Sequence, residues 1–215
     1  VTNFNNTDFA FHVHKVVGIE RISWKQINKP DKIIYGGEEG VATGIADVNG
    51  HLITILDFEK IVSEISPELG IQYDDLDTLG PRERSNKPVL LVEDSMLLSK
   101  MIVESLQRAG YENLIKTDNG QEAWNFLQEA KESGDLIRNH VCCVVTDIEM
   151  PLMDGHHLSK LIKEDPVLKE LPVILFSSLI NDEIRRKGEA VGADAQITKP
   201  EIANLVTLID KLILK

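Results

Sequence analysis

The sequence predicts two units: an α/β domain of doubly wound (βα)5 form with a parallel sheet, preceded by a partial antiparallel β-barrel segment. Three observations predict this. After Lys87, short apolar runs alternate with stretches of helical period, as in a parallel sheet covered on both faces. Before Asp74 the apolar period is two, interrupted by turn formers. Residues 74–87, DDLDTLGPRERSNK, carry charge and turn formers but no hydrophobic period, so they read as a connection. The expected boundaries are 1–75, a linker at 76–87, and 88–215.

In chain order, Val1 to Phe4 reads as the tail of an earlier strand. In Phe9-Ala10-Phe11-His12-Val13, the two phenylalanines and the valine share one strand face, with His12 and His14 on the other. Two histidines at that spacing can bind metal, but with no third ligand nearby a solvated pair is expected. Apolar runs at 16–22, 40–48 and 52–56 supply further strands. Asn49-Gly50, between the last two, is a strong hairpin signal. This segment has no nucleophile–base pair and no glycine-rich phosphate loop, so it points to binding rather than catalysis. Beyond the linker, strands are expected at 89–92, 114–117, 141–146, 173–176 and 195–198. Helices are expected from Ser95 as N-cap to Gly110 as C-cap, then at 121–131, 157–163, 182–191 and 202–214.

Composition narrows the function. The 215 residues suit one or two domains, and 42% hydrophobic with 27% charged residues is ordinary globular usage. No apolar run is long enough to span a bilayer and no secretory leader is evident, which favours a cytoplasmic protein without direct membrane insertion. The formal net charge of −12 repels phosphate backbones, so nucleic acid is not an expected partner. Cys142 and Cys143 stand side by side in an apolar run, where packing is expected over redox or metal chemistry. The sequence starts at Val1 rather than methionine, and the natural protein is expected to be longer at its N-terminus.

The chemistry sits at the predicted strand ends. The first run of the α/β domain ends in Glu93-Asp94, the third in Asp147, the fourth in Ser177 and the fifth in Lys199-Pro200. In a doubly wound sheet these ends line one crevice. Three converging carboxylates repel one another, and a divalent metal resolves this. Magnesium favours hard oxygen donors, which makes Glu93, Asp94 and Asp147 suitable ligands. A lysine and a hydroxyl at the neighbouring ends suit phosphoryl oxygens.

LLVEDS at 90–95, TDIEMPLMDG at 146–155, FSS at 176–178 and TKP at 198–200 occur in the order of the response-regulator receiver family, and 88–215 resembles that family throughout. The resemblance implies a flavodoxin-like receiver with Asp147 as phosphoacceptor, attacking the phosphohistidine of a kinase. It implies magnesium on Glu93, Asp94, Asp147 and the main-chain carbonyl of Glu149. Lys199 would pair with Asp147 and then with the phosphoryl group, and Ser177 would carry the signal onward. Dehalogenase-type phosphatases also use a nucleophilic aspartate and magnesium, but they place a second aspartate two residues later, where this chain has Glu149. Receivers commonly carry an aromatic where this chain has Gln196, so the output step departs from the pattern. His156-His157, after the Asp154-Gly155 turn, is expected to open a surface helix.

Residues 1–75 resemble the second half of a CheW-type coupling domain, through WKQINKPDK at 24–32 and GIADVNGHLITILDFEKI at 44–61. A coupling domain followed by a receiver is similar to the CheV-type chemotaxis family. That likeness implies a non-enzymatic adaptor at receptor arrays, linking chemoreceptors to the histidine kinase CheA and regulated by phosphorylation at Asp147. The alternative is a phosphate sink or phosphoaspartyl phosphatase acting through the receiver.

Overall fold

The computed structural model describes residues 1–4, 7–23, 26–28, 41–65, 76, 79–178, 180, 182–199 and 201–213. Parts of the expected 24–32 stretch, of the 74–87 connection, Pro200 and the end of the last helix lie outside the described residues.

Five parallel strands form the larger sheet: β6 (Val89–Val92), β7 (Leu114–Thr117), β8 (Cys143–Thr146), β9 (Val173–Ser177) and β10 (Ala195–Thr198). Their spatial order is β10-β9-β8-β6-β7, a doubly wound arrangement in which β6 sits between β7 and β8. The three central strands, β6, β8 and β9, are nearly all apolar without alternation because both their faces are buried, whereas the edge strands β7 and β10 carry Lys116 and Gln196 and are only partly buried. Val89, Leu91, Cys143, Val145, Ile174 and Phe176 face one core, and Leu90, Val92, Val144 and Val173 face the other.

The first core is closed by α2 (Met96–Arg108) and α7 (Ile202–Ile213), through Ile102, Leu106, Leu205 and Ile209. The second is closed by α3 (Gly120–Glu132) and α5 (Gly155–Glu164), through Ala123, Leu127, Leu158 and Ile162. Truncating a fully buried member such as Phe176 to alanine costs about 3–5 kcal/mol. Local chemistry fixes where these helices begin. The Ser95 hydroxyl accepts from Leu98 N at 3.4 Å, the Asn119 side chain from Glu122 N at 2.9 Å, and Asp154 from His157 N at 2.7 Å. Glu122 reaches back to Asp118 N, giving α3 a near-reciprocal cap. A short helix, α4 (Ile137–His140), precedes β8, and α6 (Asp182–Ala190) lies between β9 and β10.

The N-terminal part has a two-stranded antiparallel sheet, β1 (Thr2–Phe4) with β2 (Thr7–Phe9), and a three-stranded antiparallel sheet of β3 (Ile27–Asn28), β4 (Ala42–Val48) and β5 (His51–Leu56), followed by α1 (Phe58–Ile65). Asn49 (φ 55°) and Gly50 (φ 81°) make the expected hairpin turn, and Gly50 N donates to Asp47 Oδ1. Gly44 lets β3 approach, since a Cβ there would stand 2.5 Å from Ile27 Cγ2.

Two expectations are corrected here. The strand placed at Phe9 to Val13 ends at Phe9, and the run at 16–22 is irregular, with Val16, Val17 and Ile19 at least three-quarters exposed. Alternation marks a face that a strand could bury, but a strand also needs a neighbour for its amides. His12 and His14 therefore lie on exposed irregular backbone rather than on a strand face.

The stretch before β6 packs on the α/β domain. Leu76 is buried in the first core. Arg82 Nε donates to Ala109 O at 2.9 Å and its guanidinium pairs with Asp210 at 2.5 Å, while Asp210 also accepts from the Tyr111 hydroxyl. Burial and this acidic partner push the Tyr111 phenol far up, so it remains a donor. Ser85 bridges Tyr111, and Lys87 Nζ donates to Ile213 O.

Candidate functional site

The carboxyl ends of β6, β8, β9 and β10 converge as the strand register requires. Val92 pairs with Thr146, Thr146 with Leu175, and Ser177 with Thr198. Glu93, Asp94, Asp147, Ser177 and Lys199 are therefore the first residues at or just past four adjacent strand ends. Asp147 is held from several sides. Its N donates to Val92 O at 2.9 Å, its Oδ1 accepts from Ile148 N at 2.7 Å, and its carbonyl accepts from the Thr146 hydroxyl at 2.8 Å.

Donor oxygens of Glu93, Asp94 and Asp147 lie within 4.8 Å of one another, and among the described residues this is the one such group of three. Lys199 Nζ stands 2.7 Å from Glu93 Oε2 and 3.3 Å from Asp147 Oδ2. Glu93, Asp147, Ser177 and Lys199 are buried, Asp94 is partly exposed and Glu149 is exposed. One ammonium against three carboxylates leaves a net negative cluster of hard oxygens, and this donor set fits a small divalent cation such as magnesium. Asp94, Asp147, Glu149 and Ser177 line one cavity of about 290 Å³.

Sequence reasoning named these six residues but not the glycine that lets them meet. A Cβ on Gly155 would stand 2.0 Å from Asp147 O, so the 148–155 loop closes against the strand end only with glycine there. The Asp154-Gly155 pair in TDIEMPLMDG was the available signal, read only as a turn.

Gln196 is anchored on α6. Its Nε2 donates to Arg185 O at 2.8 Å, and Gly188 makes room, since a Cβ there would stand 2.4 Å from Gln196 Oε1. His156 lies half-buried in the first turn of α5, and burial, opposed by Asp154, lowers its pKa so that the neutral ring prevails. Cys143 is buried in the first core and Cys142 is half-buried. Burial pushes both thiols up, consistent with packing.

Comparison with known proteins finds separate matches in two parts of the chain. The response regulator receiver domain family matches residues 89–210. The chain belongs to the response regulator receiver family. A CheW-like domain matches residues 1–66, ahead of the receiver. Chemotaxis protein CheV3 of Helicobacter pylori (strain ATCC 700392 / 26695) is 28% identical over 216 residues, covering 99% of this chain and 68% of the relative. Chemotaxis protein CheV2 of the same strain is 31% identical over 216 residues, covering 98% and 66%. The chain thus spans about two thirds of the length of these relatives and is CheV-like, with a CheW-like part followed by a receiver. Among solved structures, the phosphorylated cyanobacterial phytochrome response regulator RcpA superposes on the receiver with a TM-score of 0.52 at 26% identity, covering 61% of this chain and 96% of that one. Among the described residues, no helix is long and apolar enough to cross a membrane.

Proposed function

We propose that this CheV-like chain is a chemotaxis adaptor that couples chemoreceptors to the histidine kinase CheA at cytoplasmic receptor arrays, and that phosphorylation of Asp147 regulates the coupling. The observation that carries this reading is Asp147 itself. It is buried beside Lys199 and two further carboxylates, on a chain whose other part is CheW-like. Such a site takes up a phosphoryl group, whereas the N-terminal part offers strands and a helix for binding.

In this reading the Asp147 carboxylate attacks the phosphorus of a phosphohistidine. The N–P bond breaks, an O–P bond forms, and the imidazole leaves with the electron pair and takes up a proton. Glu93, Asp94, Asp147 and the main-chain carbonyl of Glu149 would hold magnesium, which offsets the charge of the phosphoryl oxygens when bound. Lys199 moves its ion pair from Asp147 to the new phosphoryl oxygen, and Ser177 donates to another. Glu93, Asp147, Ser177 and Lys199 are buried, so their charges and dipoles act at reduced screening. The receiver promotes its own phosphotransfer and needs no separate catalytic partner beyond the donor.

The test incubates the chain with autophosphorylated CheA and magnesium and follows labelled phosphate, with Asp147→Asn beside it. Transfer to the wild type alone, together with receptor and kinase binding that survives Asp147→Asn, is the expected result. Binding that is absent in both proteins, with rapid turnover of phosphate, would replace the adaptor by a phosphate sink.

A further inference from the structure

The cavity at Asp147 is not walled by the receiver alone. The end of β5 and the start of α1 contribute Leu56, Asp57 and Phe58 to the same 290 Å³ space that Asp147, Glu149 and Pro151 line from below. Phe58 is braced by an edge contact with Phe11, ring centroids 4.7 Å apart. Asp57 is tied to the sheet by its N donating to Val41 O at 2.7 Å.

We propose that this surface of the CheW-like part is the resting partner of the phosphoacceptor crevice, and that docking there and phosphorylation of Asp147 oppose each other. The inference rests on the reading of Asp147 as phosphoacceptor. Two features argue for it. First, a cavity of about 290 Å³ admits a small anion but not the domain that presents a phosphohistidine, so transfer from a protein donor requires the two surfaces to part. Second, the charge is arranged to separate them afterwards. The amide end of α1 would by itself attract an anion, but Asp57 already fills it, its Oδ1 accepting from Lys60 N at 2.8 Å. The phosphoryl group, bringing roughly two negative charges, therefore meets a carboxylate across the cavity. The apolar contribution of Leu56 and Phe58 holds the resting contact, and the like charges open it.

This makes the sign of the switch a property of one residue. Asp57→Asn keeps the cap, because asparagine is an equally good N-cap, and removes the charge. Leu56→Glu, at a position 42% exposed, weakens the resting contact with little demand on the fold.

The test uses the full chain with two phosphate donors, acetyl phosphate and phosphorylated CheA. It also uses hydrogen exchange of residues 55–61 with and without magnesium and beryllofluoride as phosphoryl mimic. Leu56→Glu is expected to raise the rate of labelling by the kinase relative to that by acetyl phosphate several-fold. Beryllofluoride is expected to raise exchange at 55–61 in the wild type and to raise it much less in Asp57→Asn. The same ratio of kinase to acetyl phosphate labelling in wild type and Leu56→Glu, with exchange at 55–61 indifferent to beryllofluoride, would overturn the inference while leaving Asp147 as phosphoacceptor. Failure of both donors to label Asp147 in the folded protein would overturn the underlying reading and this one with it.

Discussion

Replacing Asp147 by asparagine is expected to stabilise the metal-free receiver, although it abolishes the acceptor. The three carboxylates have donor oxygens within 4.8 Å of one another. At an effective dielectric constant of about 20, a like-charge pair at that separation costs about 3.5 kcal/mol. Lys199, 3.3 Å from Asp147, returns about 5 kcal/mol by the same rule. With Glu93 and Asp94 both repelling it, Asp147 keeps a net repulsion of about 2 kcal/mol, trimmed by solvent at the partly exposed Asp94. Asparagine fills the same volume and its amide oxygen can still accept from Ile148 N, while its Nδ2 then faces Lys199, whose lost attraction is the roughly 5 kcal/mol already counted. A gain of about 1–2 kcal/mol is expected, roughly 3–6 °C in the receiver transition for a domain of this size. Calorimetry in a chelator and in saturating magnesium reads it. The cation neutralises the same repulsion by binding the native state, so the advantage should shrink or reverse when magnesium is added. A lower melting temperature for Asp147→Asn in chelator, or an identical gain under both conditions, would refute the electrostatic account of the cluster.

Three further outcomes follow from the packing. Gly155→Ala pushes a methyl group to within 2.0 Å of Asp147 O, so the loop must move; a loss of roughly 3 kcal/mol in urea unfolding, with slower phosphoryl uptake, is expected. Asp210→Ala leaves the buried Tyr111 hydroxyl and Arg82 without their shared acceptor and is expected to cost about 2 kcal/mol, more than Tyr111→Phe does in the same assay. At Asp165, burial raises the carboxyl pKa, but the hydrogen bonds from Lys131, Val167 N and Leu168 N together prevail and hold it below 3.8. A depressed folded pKa means stability that is present above the unfolded value and lost as pH falls through the folded one. Lys131→Met should therefore lower the urea midpoint near neutrality, with the gap to wild type closing as the pH falls below about 4.

The receiver was legible because its central strands are buried on both faces. The run at 89–92 is wholly apolar and those at 114–117 and 195–198 are half so, and the bounds of all three in the structure are those read from the sequence. The site was legible for a related reason: in a doubly wound sheet, strand ends are neighbours, so motifs far apart in the chain needed no further information to be brought together. The helix at Ile137–His140 was not read, because a single turn has no period to detect. In the N-terminal part, alternation at 9–13 and 16–22 showed how a strand there would face but could not supply a partner for its amides.

The connection before β6 shows a different limit of sequence pattern. Its charges and turn formers read as a spacer because hydrophobic period is the signal for packing, and the segment has none. Its anchors are single polar contacts to distant positions. Arg82 meets Asp210, 128 residues away, and Ala109, 27 residues away, while Gly110, at φ 98°, leaves space that a Cβ would close to 2.9 Å from Glu83 O. Such contacts leave no periodic trace, yet they fasten the segment to both α2 and α7. The receiver end of the connection is thus part of the receiver's own packing, through contacts that the sequence pattern hides.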